Sequence, residues 1–170
     1  MTSLLIDTAT EYGVVIFFDE THILYQQIIS IGFNHSKLLL LAVEKGLKEL
    51  KINPKELKYV AVGGGPGSYT GIRVGVVVAK ALAYVAKIPV VSFSSLEGFI
   101  PPHDCSFTAL IDAKISGAYA LFGTRKNGII TYSSPPTARP LDSIEEDLKR
   151  YPTLVTPNSS SLKQKLSKLY

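Results

Sequence analysis

The sequence predicts an α/β fold in which a mixed β-sheet is followed by a second, smaller set of strands. Three short β-branched and aromatic runs separated by polar turns open the chain, which is typical of antiparallel hairpins. A strand, a glycine-rich turn, a helix and another strand follow in that order, so part of the sheet is predicted to be parallel. A further group of apolar runs after residue 107 indicates a second lobe.

The N-terminal half is assigned from its apolar runs and their stop signals. Three antiparallel strands are predicted over Ser3–Ile6, Gly13–Phe18 and His22–Ile29. Ser36 is a candidate cap for a helix that extends to about Lys51, because proline disfavours helix in the residue before it and Pro54 follows. The parallel part is predicted as a strand over Leu57–Val62, a helix over Ser68–Ala86 and a strand over Ile88–Phe93.

The C-terminal part repeats this pattern in a shorter form. Its predicted strands are Phe107–Asp112, Ala118–Phe122 and Gly128–Tyr132, and its predicted helices are Ile144–Arg150 and Ser161–Leu169. Pro135, Pro136 and Pro140 indicate a loop between them. The boundary is expected at Ile100–Asp104, which gives an N-terminal lobe over 1–100 and a C-terminal lobe over 101–170. The ending Ile-Asp at Asp7 and again at Asp112 suggests two related halves.

Composition excludes several classes of protein. The 170 residues are 46% hydrophobic and 19% charged, which is inconsistent with wholesale disorder. The single cysteine, Cys105, excludes an intramolecular disulfide and a cysteine-rich zinc site, and favours a cytoplasmic location. No signal peptide is expected, and the apolar stretch over 74–79 is expected to stop too early for a membrane span. The net charge of +4 allows a polyanionic partner without identifying one.

The glycine run at 63–67 has two interpretations. Backbone N–H groups of a glycine-rich turn at a helix N-terminus can bind an anion. The alternative is a tight turn that brings helix and sheet backbones together. A Walker loop is excluded because Gly71 is followed by Ile72, and the dinucleotide fingerprint lacks its third glycine because Thr70 stands there.

Both helices of the N-terminal half carry more apolar surface than one sheet can cover. In the second helix Gly71, Gly75, Ala79 and Ala83 form a stripe of small residues, and the remaining positions are apolar nearly all round. In the first helix an apolar arc of Leu39, Leu40, Val43, Leu47 and Leu50 is expected to face the core. Leu38 and Leu41 fall outside that arc on a charged face, which indicates an interface or scattered surface leucines.

Residues suited to catalysis are scarce. His22, His35 and His103 have no obvious catalytic partners, and no metalloprotease helix or nucleophile elbow is present. Asp7 and Asp112 end strands, where they could position a metal-bound phosphate or tie down adjacent loops. The residues therefore predict no catalytic, cofactor-binding or metal-binding set.

Several segments together resemble the bacterial TsaB (YeaZ) family. They are Ile6–Thr10, His35-Ser36 before a leucine-rich helix, Gly64–Gly75, Ala79–Ala83, Ser94–Glu97 and Ile111–Lys114. The segment from Gly64 to Gly75 is highly specific, and the likeness covers roughly residues 3–123. The resemblance implies an actin-like, ribonuclease H-like, two-lobed fold related to sugar kinases. The chain departs from the family in a second lobe that is expected to be reduced, and in Ser116–Tyr119, where Gly-Glu-Val-Tyr is usual.

The resemblance also implies a function. TsaB proteins take part in forming threonylcarbamoyladenosine at position 37 of tRNAs that read codons beginning with A, as non-catalytic partners of the transferase TsaD. Heterodimer formation with a TsaD-like protein is implied through the two N-lobe helices, with a TsaE-like ATPase joining the complex and tRNA contacted indirectly. Independently of the resemblance, the stripe of small residues on the second helix is expected to be exposed and to drive self-association, so a homodimer is expected in isolation.

Site residues follow from this likeness. The candidate interface residues are His35, Leu38, Leu41, Lys45, Thr70, Arg73, Val74, Val77, Val78 and Ala81. Gly65, Gly67 and Ser68 form a loop that could face nucleotide or partner. Actin-like ATPases carry glycine in the turn after the first strand, whereas Ala9 stands there, so no cofactor or metal is expected.

Three alternative functions remain open from the sequence. An active actin-like phosphotransferase would use Asp7, Thr10 and Asp112. A peptidase would use Ser68. Direct tRNA binding is consistent with the isoelectric point of about 9.1, although no cluster of aromatic and basic residues identifies a groove.

Overall fold

The computed structural model describes residues 1–30, 35–114 and 117–167, and the side chains of His35 and Ser36 lie outside that description. The chain divides into two compact units, Met1–Ser95 and Leu96–Tyr170. Each is built around its own five-stranded mixed sheet.

The sheet of the first unit has the strand order β3-β2-β1-β4-β5. Its strands are β1 (Ser3–Asp7), β2 (Tyr12–Phe18), β3 (Ile23–Ser30), β4 (Val60–Gly63) and β5 (Val90–Phe93). β1, β2 and β3 form an antiparallel meander, whereas β4 runs parallel to β1 and β5 parallel to β4. The predicted combination of three antiparallel strands with a parallel βαβ unit is confirmed.

Two helices pack on this sheet, α1 (His35–Leu50) and α2 (Tyr69–Ala86). The Oγ of Ser68 accepts a hydrogen bond from the backbone N–H of Gly71 at 3.2 Å, which caps α2 as the sequence predicts. Side chains from β1, β2 and β4 meet both helices in one core. The fully buried members are Leu4, Ile6, Val15, Phe17, Leu39, Val60 and Ala79.

The sheet of the second unit has the order β10-β6-β7-β8, with β9 paired to the first residues of β7. Its strands are β6 (Cys105–Asp112), β7 (Ala118–Lys126), β8 (Ile129–Tyr132), β9 (Thr137–Arg139) and β10 (Thr153–Val155). Its helices are α3 (Glu145–Arg150) and α4 (Ser159–Leu166).

The two units repeat one topology. In each, an antiparallel three-strand meander is followed by helix, by a strand that runs parallel to the first strand of the meander, and by another helix. Within the described residues, the second unit has no counterpart of β5 after α4. The hypothesis of two related halves agrees with this repeat, and the predicted actin-like, ribonuclease H-like arrangement of mixed sheets is confirmed.

Some boundaries differ from the sequence prediction. β4 begins at Val60 rather than at Leu57, because the backbone N–H of Leu57 instead bonds to the carbonyl of Pro54 and closes a 3₁₀ turn. β9 falls inside the proline-rich segment that was predicted as a loop. β10 is a short strand that lacks a long apolar run, and its pairing with β6 makes it a strand.

Among the described residues, α2 is the helix that is long and apolar enough to span a membrane by length and composition alone, a test that the core helix of a globular protein also passes. Its glycine and alanine residues lie in the core of the first unit, as those of a core helix do.

Candidate partner-binding surface

The stripe of small residues on α2 faces the chain's own sheet. Gly71, Gly75, Ala79 and Ala83 are all buried. A Cβ added at Gly71 would lie 2.0 Å from the carbonyl oxygen of Thr8, and one added at Gly75 would lie 2.4 Å from the Thr8 hydroxyl. The suggestion that this stripe is exposed and drives association is therefore wrong, because the turn after β1 already occupies it.

The opposite face of α2 is exposed and apolar. Val77 is 64% exposed and Tyr84 is 86% exposed, and these two positions lie one above the other, seven residues apart. Thr70 is exposed on the same line, seven residues before Val77; Ala81 and Val85 are exposed on one side of this line, and Arg73 and Lys80 on the other. An exposed stripe with alternating spacings of three and four residues is the pattern with which one helix packs along another.

The N-terminal part of this face contains a depression of about 320 Å³. Its described lining comprises Tyr69, Thr70, Arg73, Val74, Val77 and Val78. The guanidinium of Arg73 donates to the hydroxyl of Tyr69 at 3.2 Å and lies 5.2 Å from the centre of the Tyr69 ring. Arg73 and Tyr69 thus place polar groups beside an otherwise apolar depression.

Helix α1 adds exposed leucines to the first unit. Leu38 and Leu41 are 38% and 49% exposed, as predicted, but Leu40 is 55% exposed and does not belong to the buried arc. The core side of α1 is instead completed by Ala42. Lys45 is exposed and forms an ion pair with Glu49 at 3.7 Å.

The structure places most of the candidate interface residues on exposed helix faces. Those exposed are Leu38, Leu41, Lys45, Thr70, Arg73, Val77 and Ala81; Val74 is half-buried, and Val78 is buried with 8% of its surface exposed. The side chain of His35 lies outside the described residues. Sequence reasoning missed Tyr69, Tyr84 and Leu40, whose positions relative to Val77 and Leu41 could have been found from the helical spacing.

The glycine-rich turn serves close packing. Gly65 and Gly67 have φ angles of +93° and +152°, and a Cβ at Gly67 would lie 2.1 Å from the carbonyl oxygen of Ala9. The backbone N–H of Ser68 donates to that same Ala9 oxygen at 2.7 Å. Of the two interpretations of the run, the tight turn that joins helix and sheet accounts for these contacts.

Much of the anion-binding capacity of this turn is already used. The N–H of Gly64 donates to the carbonyl of Phe93, that of Gly65 to the Oγ of Ser95, and that of Gly71 to the Oγ of Ser68. Because these donors have partners within the chain, the turn is a poor cradle for a phosphate.

Ser68 acts as a helix cap in this structure. Its Oγ accepts from the N–H of Gly71 at 3.2 Å. Among the described side chains, which do not include that of His35, no histidine hydrogen-bonds to Ser68, and a nucleophilic serine requires such a base.

Asp7 occupies the end of β1 in a closely packed site. Its Oδ1 accepts from the N–H of Ala9 at 2.8 Å, and a Cβ on Gly63 would lie 2.4 Å from its carboxylate. Burial raises the pKa of the Asp7 carboxyl, and hydrogen bonds from Ala9, Ser95 and Thr8 only partly oppose that effect. Asp7 thus ties down the turn after β1.

This raised pKa makes a testable prediction for Asp7→Asn. Below pH 3.8, the pKa of the carboxyl in the unfolded chain, the carboxyl is protonated in both the folded and the unfolded state and contributes nothing to the pH dependence of stability. As pH rises from there through the raised folded pKa, the native protein loses stability, and above it the loss is complete. We therefore expect the free energy of unfolding of the variant to increase, relative to that of the native chain, as pH rises through the folded pKa. Urea titrations at several pH values measure this difference. An advantage that shrinks as pH rises would contradict the assignment.

Asp112, at the end of β6, has a lowered pKa, in contrast to Asp7. Burial favours its protonated form, but hydrogen bonds from Lys165, Ser161 and the N–H of Lys114 outweigh burial and lower the pKa. The Nζ of Lys165 lies 2.5 Å from Oδ1 of Asp112, which links β6 to α4. This carboxylate is therefore neutralised by the chain's own lysine.

The lowered pKa predicts the effect of Lys165→Met. Asp112 contributes stability above its unfolded pKa of 3.8, and this contribution is lost as pH falls through the folded value. We expect the variant to lose about 1–3 kcal/mol near neutral pH, because a largely buried carboxylate loses its charged donor. The difference should shrink below about pH 4 in urea titrations. A constant difference across pH would exclude the ion pair as its cause.

Asp7, Thr10 and Asp112, which the phosphotransferase alternative requires, are each held by their own surroundings. Thr10 exchanges hydrogen bonds with the backbone of Tyr12. In the residues that the structure describes, no group of three histidine, cysteine, aspartate or glutamate side chains could hold a metal ion. Nothing in this arrangement favours phosphoryl transfer over a structural role for these three side chains.

The chain is similar to proteins of known families. A protein-family model described as "TsaD: tRNA N6-adenosine threonylcarbamoyltransferase" matches residues 30–130. The chain is 33% identical over 79% of its length to the tRNA threonylcarbamoyladenosine biosynthesis protein TsaB of Bacillus subtilis, and covers 60% of that protein. It is 32% identical over 70% of its length to the Haemophilus influenzae protein of the same name, and covers 52% of it.

A solved structure gives the same result. YeaZ from Pseudomonas aeruginosa is 26% identical in sequence and superimposes with a TM-score of 0.73, covering 82% of this chain and 67% of YeaZ. The chain spans between half and two thirds of the length of the two curated relatives. Its matches to TsaB and YeaZ proteins extend over most of its own length, and the chain belongs to the family that the TsaD model describes.

Proposed function

We propose that this chain is an accessory subunit in the synthesis of tRNA threonylcarbamoyladenosine, and that it binds and stabilises a TsaD-like transferase through α1 and α2. The observation that carries the proposal is the exposed apolar face of α2 centred on Val77, which the chain's own sheet leaves uncovered. Burial of each such side chain against a partner would contribute about 1.5–3 kcal/mol of hydrophobic free energy relative to full exposure to water.

The proposed partner surface combines two helices. α1 and α2 pack side by side on the sheet, and both present large apolar side chains to solvent. The relatives named TsaB support the pathway, and the match to the TsaD family model supports a partner with the same architecture. A TsaE-like ATPase would then join through the complex, and tRNA would be contacted through the partner.

A non-catalytic role is part of the proposal. The Oγ of Ser68 caps a helix, Asp112 is paired with Lys165, and the donors of the glycine turn bond within the chain. These contacts give no support to a peptidase or an ATPase. We further propose a cytoplasmic location, two lobes over 1–100 and 101–170, and weak self-association in the absence of the partner.

The proposal is tested in the organism from which the chain comes. Depleting the chain is expected to remove threonylcarbamoyladenosine from tRNA hydrolysates analysed by mass spectrometry, and re-expression should restore it. Unchanged levels of the nucleoside would overturn the proposal. Calorimetry with Mg-ATP on the isolated chain tests the phosphotransferase alternative, because an accessory subunit is expected to give no heat of ATP binding.

A further inference from the structure

Every charged side chain at the exposed face of α2 is positive. Arg73 and Lys80 lie on the helix, and Lys87 forms its C-cap. Arg73 and Lys80 stand seven residues apart, so that they lie in one line about 10 Å apart along the axis, and Lys87 follows beyond the last helical residue. No aspartate or glutamate occurs between Lys58 and Leu96. The exposed face thus has an apolar centre at Val77 and a basic flank.

The charges of this basic flank are uncompensated. Among the ion pairs of residues 1–30, 35–114 and 117–167, none includes Arg73, Lys80 or Lys87. The charges of α1 are different, because Lys45 pairs with Glu49 and Lys48 with Glu44. Among the described contacts, Arg73 is held by the neutral Tyr69, which keeps the guanidinium beside the apolar depression.

The α2 helix of a second copy of this chain would not compensate the basic flank. In an antiparallel pairing of two α2 helices the basic flank faces itself, and like charges placed opposite one another oppose association. In a parallel pairing it faces the flank of Ala81 and Val85, which carries no charge. Neither orientation supplies a carboxylate from α2.

We propose that the exposed face of α2 selects a partner helix that carries carboxylates opposite Arg73 and Lys80, and that the same basic flank disfavours pairing with a second copy. The inference rests on the proposed function and adds the chemistry of the partner. An apolar side chain of that helix fills the depression beside Val77, and a carboxylate about one turn away accepts two hydrogen bonds from the Arg73 guanidinium. A second carboxylate seven residues along pairs with Lys80.

The test compares charge variants in binding to the purified TsaD-like protein of the same organism. The variants are Arg73→Glu with Lys80→Glu, and the neutral Arg73→Gln with Lys80→Gln. The matched control is Lys55→Glu with Lys126→Glu, which changes net charge equally at two exposed lysines off the helices. Dissociation constants are measured by calorimetry at about 0.05 M and about 0.5 M NaCl, where screening differs strongly.

We expect the glutamate pair to weaken binding by about tenfold or more at low salt, the glutamine pair less, and the control hardly at all. At high salt, the differences in dissociation constant between the variants and the native chain should become smaller, and the native chain should also bind its partner more weakly. Self-association of the native chain, followed by sedimentation, should strengthen over the same change in salt. Partner binding that tightens with salt, or a glutamate pair equal to its control, would overturn the inference alone. No binding at either salt would overturn the proposed function and the inference with it.

Discussion

Val77→Asp is expected to abolish binding to the TsaD-like partner while leaving the isolated chain folded. Val77 is 64% exposed and lies at the centre of the apolar face of α2. In the free chain the new carboxylate points into water, and valine and aspartate have similar helix propensities, so stability should change by no more than about 0.5 kcal/mol. In the complex the carboxylate would be buried among apolar side chains. We expect the dissociation constant to rise about a hundredfold or more.

The control for this variant is Ile129→Asp. Ile129 is 70% exposed on β8 of the second unit, so the substitution makes an equally exposed apolar side chain acidic away from α2. Binding is measured by calorimetry, and folding by circular dichroism and thermal melting. If Val77→Asp bound the partner as tightly as the control did, the face around Val77 would not be the interface.

Gly71→Ala is expected to destabilise the chain by about 2–4 kcal/mol. Helix propensity alone predicts the opposite sign, because alanine is favoured over glycine inside a helix by about 1 kcal/mol. The new Cβ would, however, lie 2.0 Å from the carbonyl oxygen of Thr8. That oxygen belongs to the backbone of the turn after β1. In the same turn, the Thr8 hydroxyl donates a hydrogen bond to the Gly71 carbonyl at 2.7 Å. The turn would have to move away from α2 and lose this contact.

Gly98→Ala serves as the matched control. A Cβ at Gly98 would meet nothing within 4 Å, so the same substitution there should be nearly neutral. Both variants are compared with the native chain by urea unfolding, from the midpoint and the slope. A Gly71→Ala chain as stable as the native one would show that β1 and α2 can separate without cost.

The fold follows from sequence where strong periodicity and turn residues coincide. The β-branched runs over 13–18 and 23–29 and the cap at Ser68 fix elements that the structure reproduces. β10 could not be predicted, because three residues have no intrinsic preference strong enough, and the pairing with β6 stabilises them as a strand. β9 likewise depends on its contact with β7 across a proline-rich segment.

The candidate site was predicted in part. Helical spacing correctly separates Leu38 and Leu41 from the buried arc of α1, and it indicates surplus apolar surface on α2. The direction of the small-residue stripe was wrong, since a sequence shows that a close approach occurs but not which backbone makes it. Here the partner of the close approach is Thr8, sixty-three residues away from Gly71 along the chain.

The clamp between the turn after β1 and the first turn of α2 has a consequence for recognition. Thr8, Ala9, Gly67 and Gly71 hold the start of this helix by backbone contacts that leave no room for a methyl group. The helix is consequently preorganised before any encounter, and docking requires little loss of conformational entropy. Weakening the contact between the turn after β1 and the first turn of α2 is therefore expected to slow association with the partner, even where every exposed side chain of α2 is unchanged.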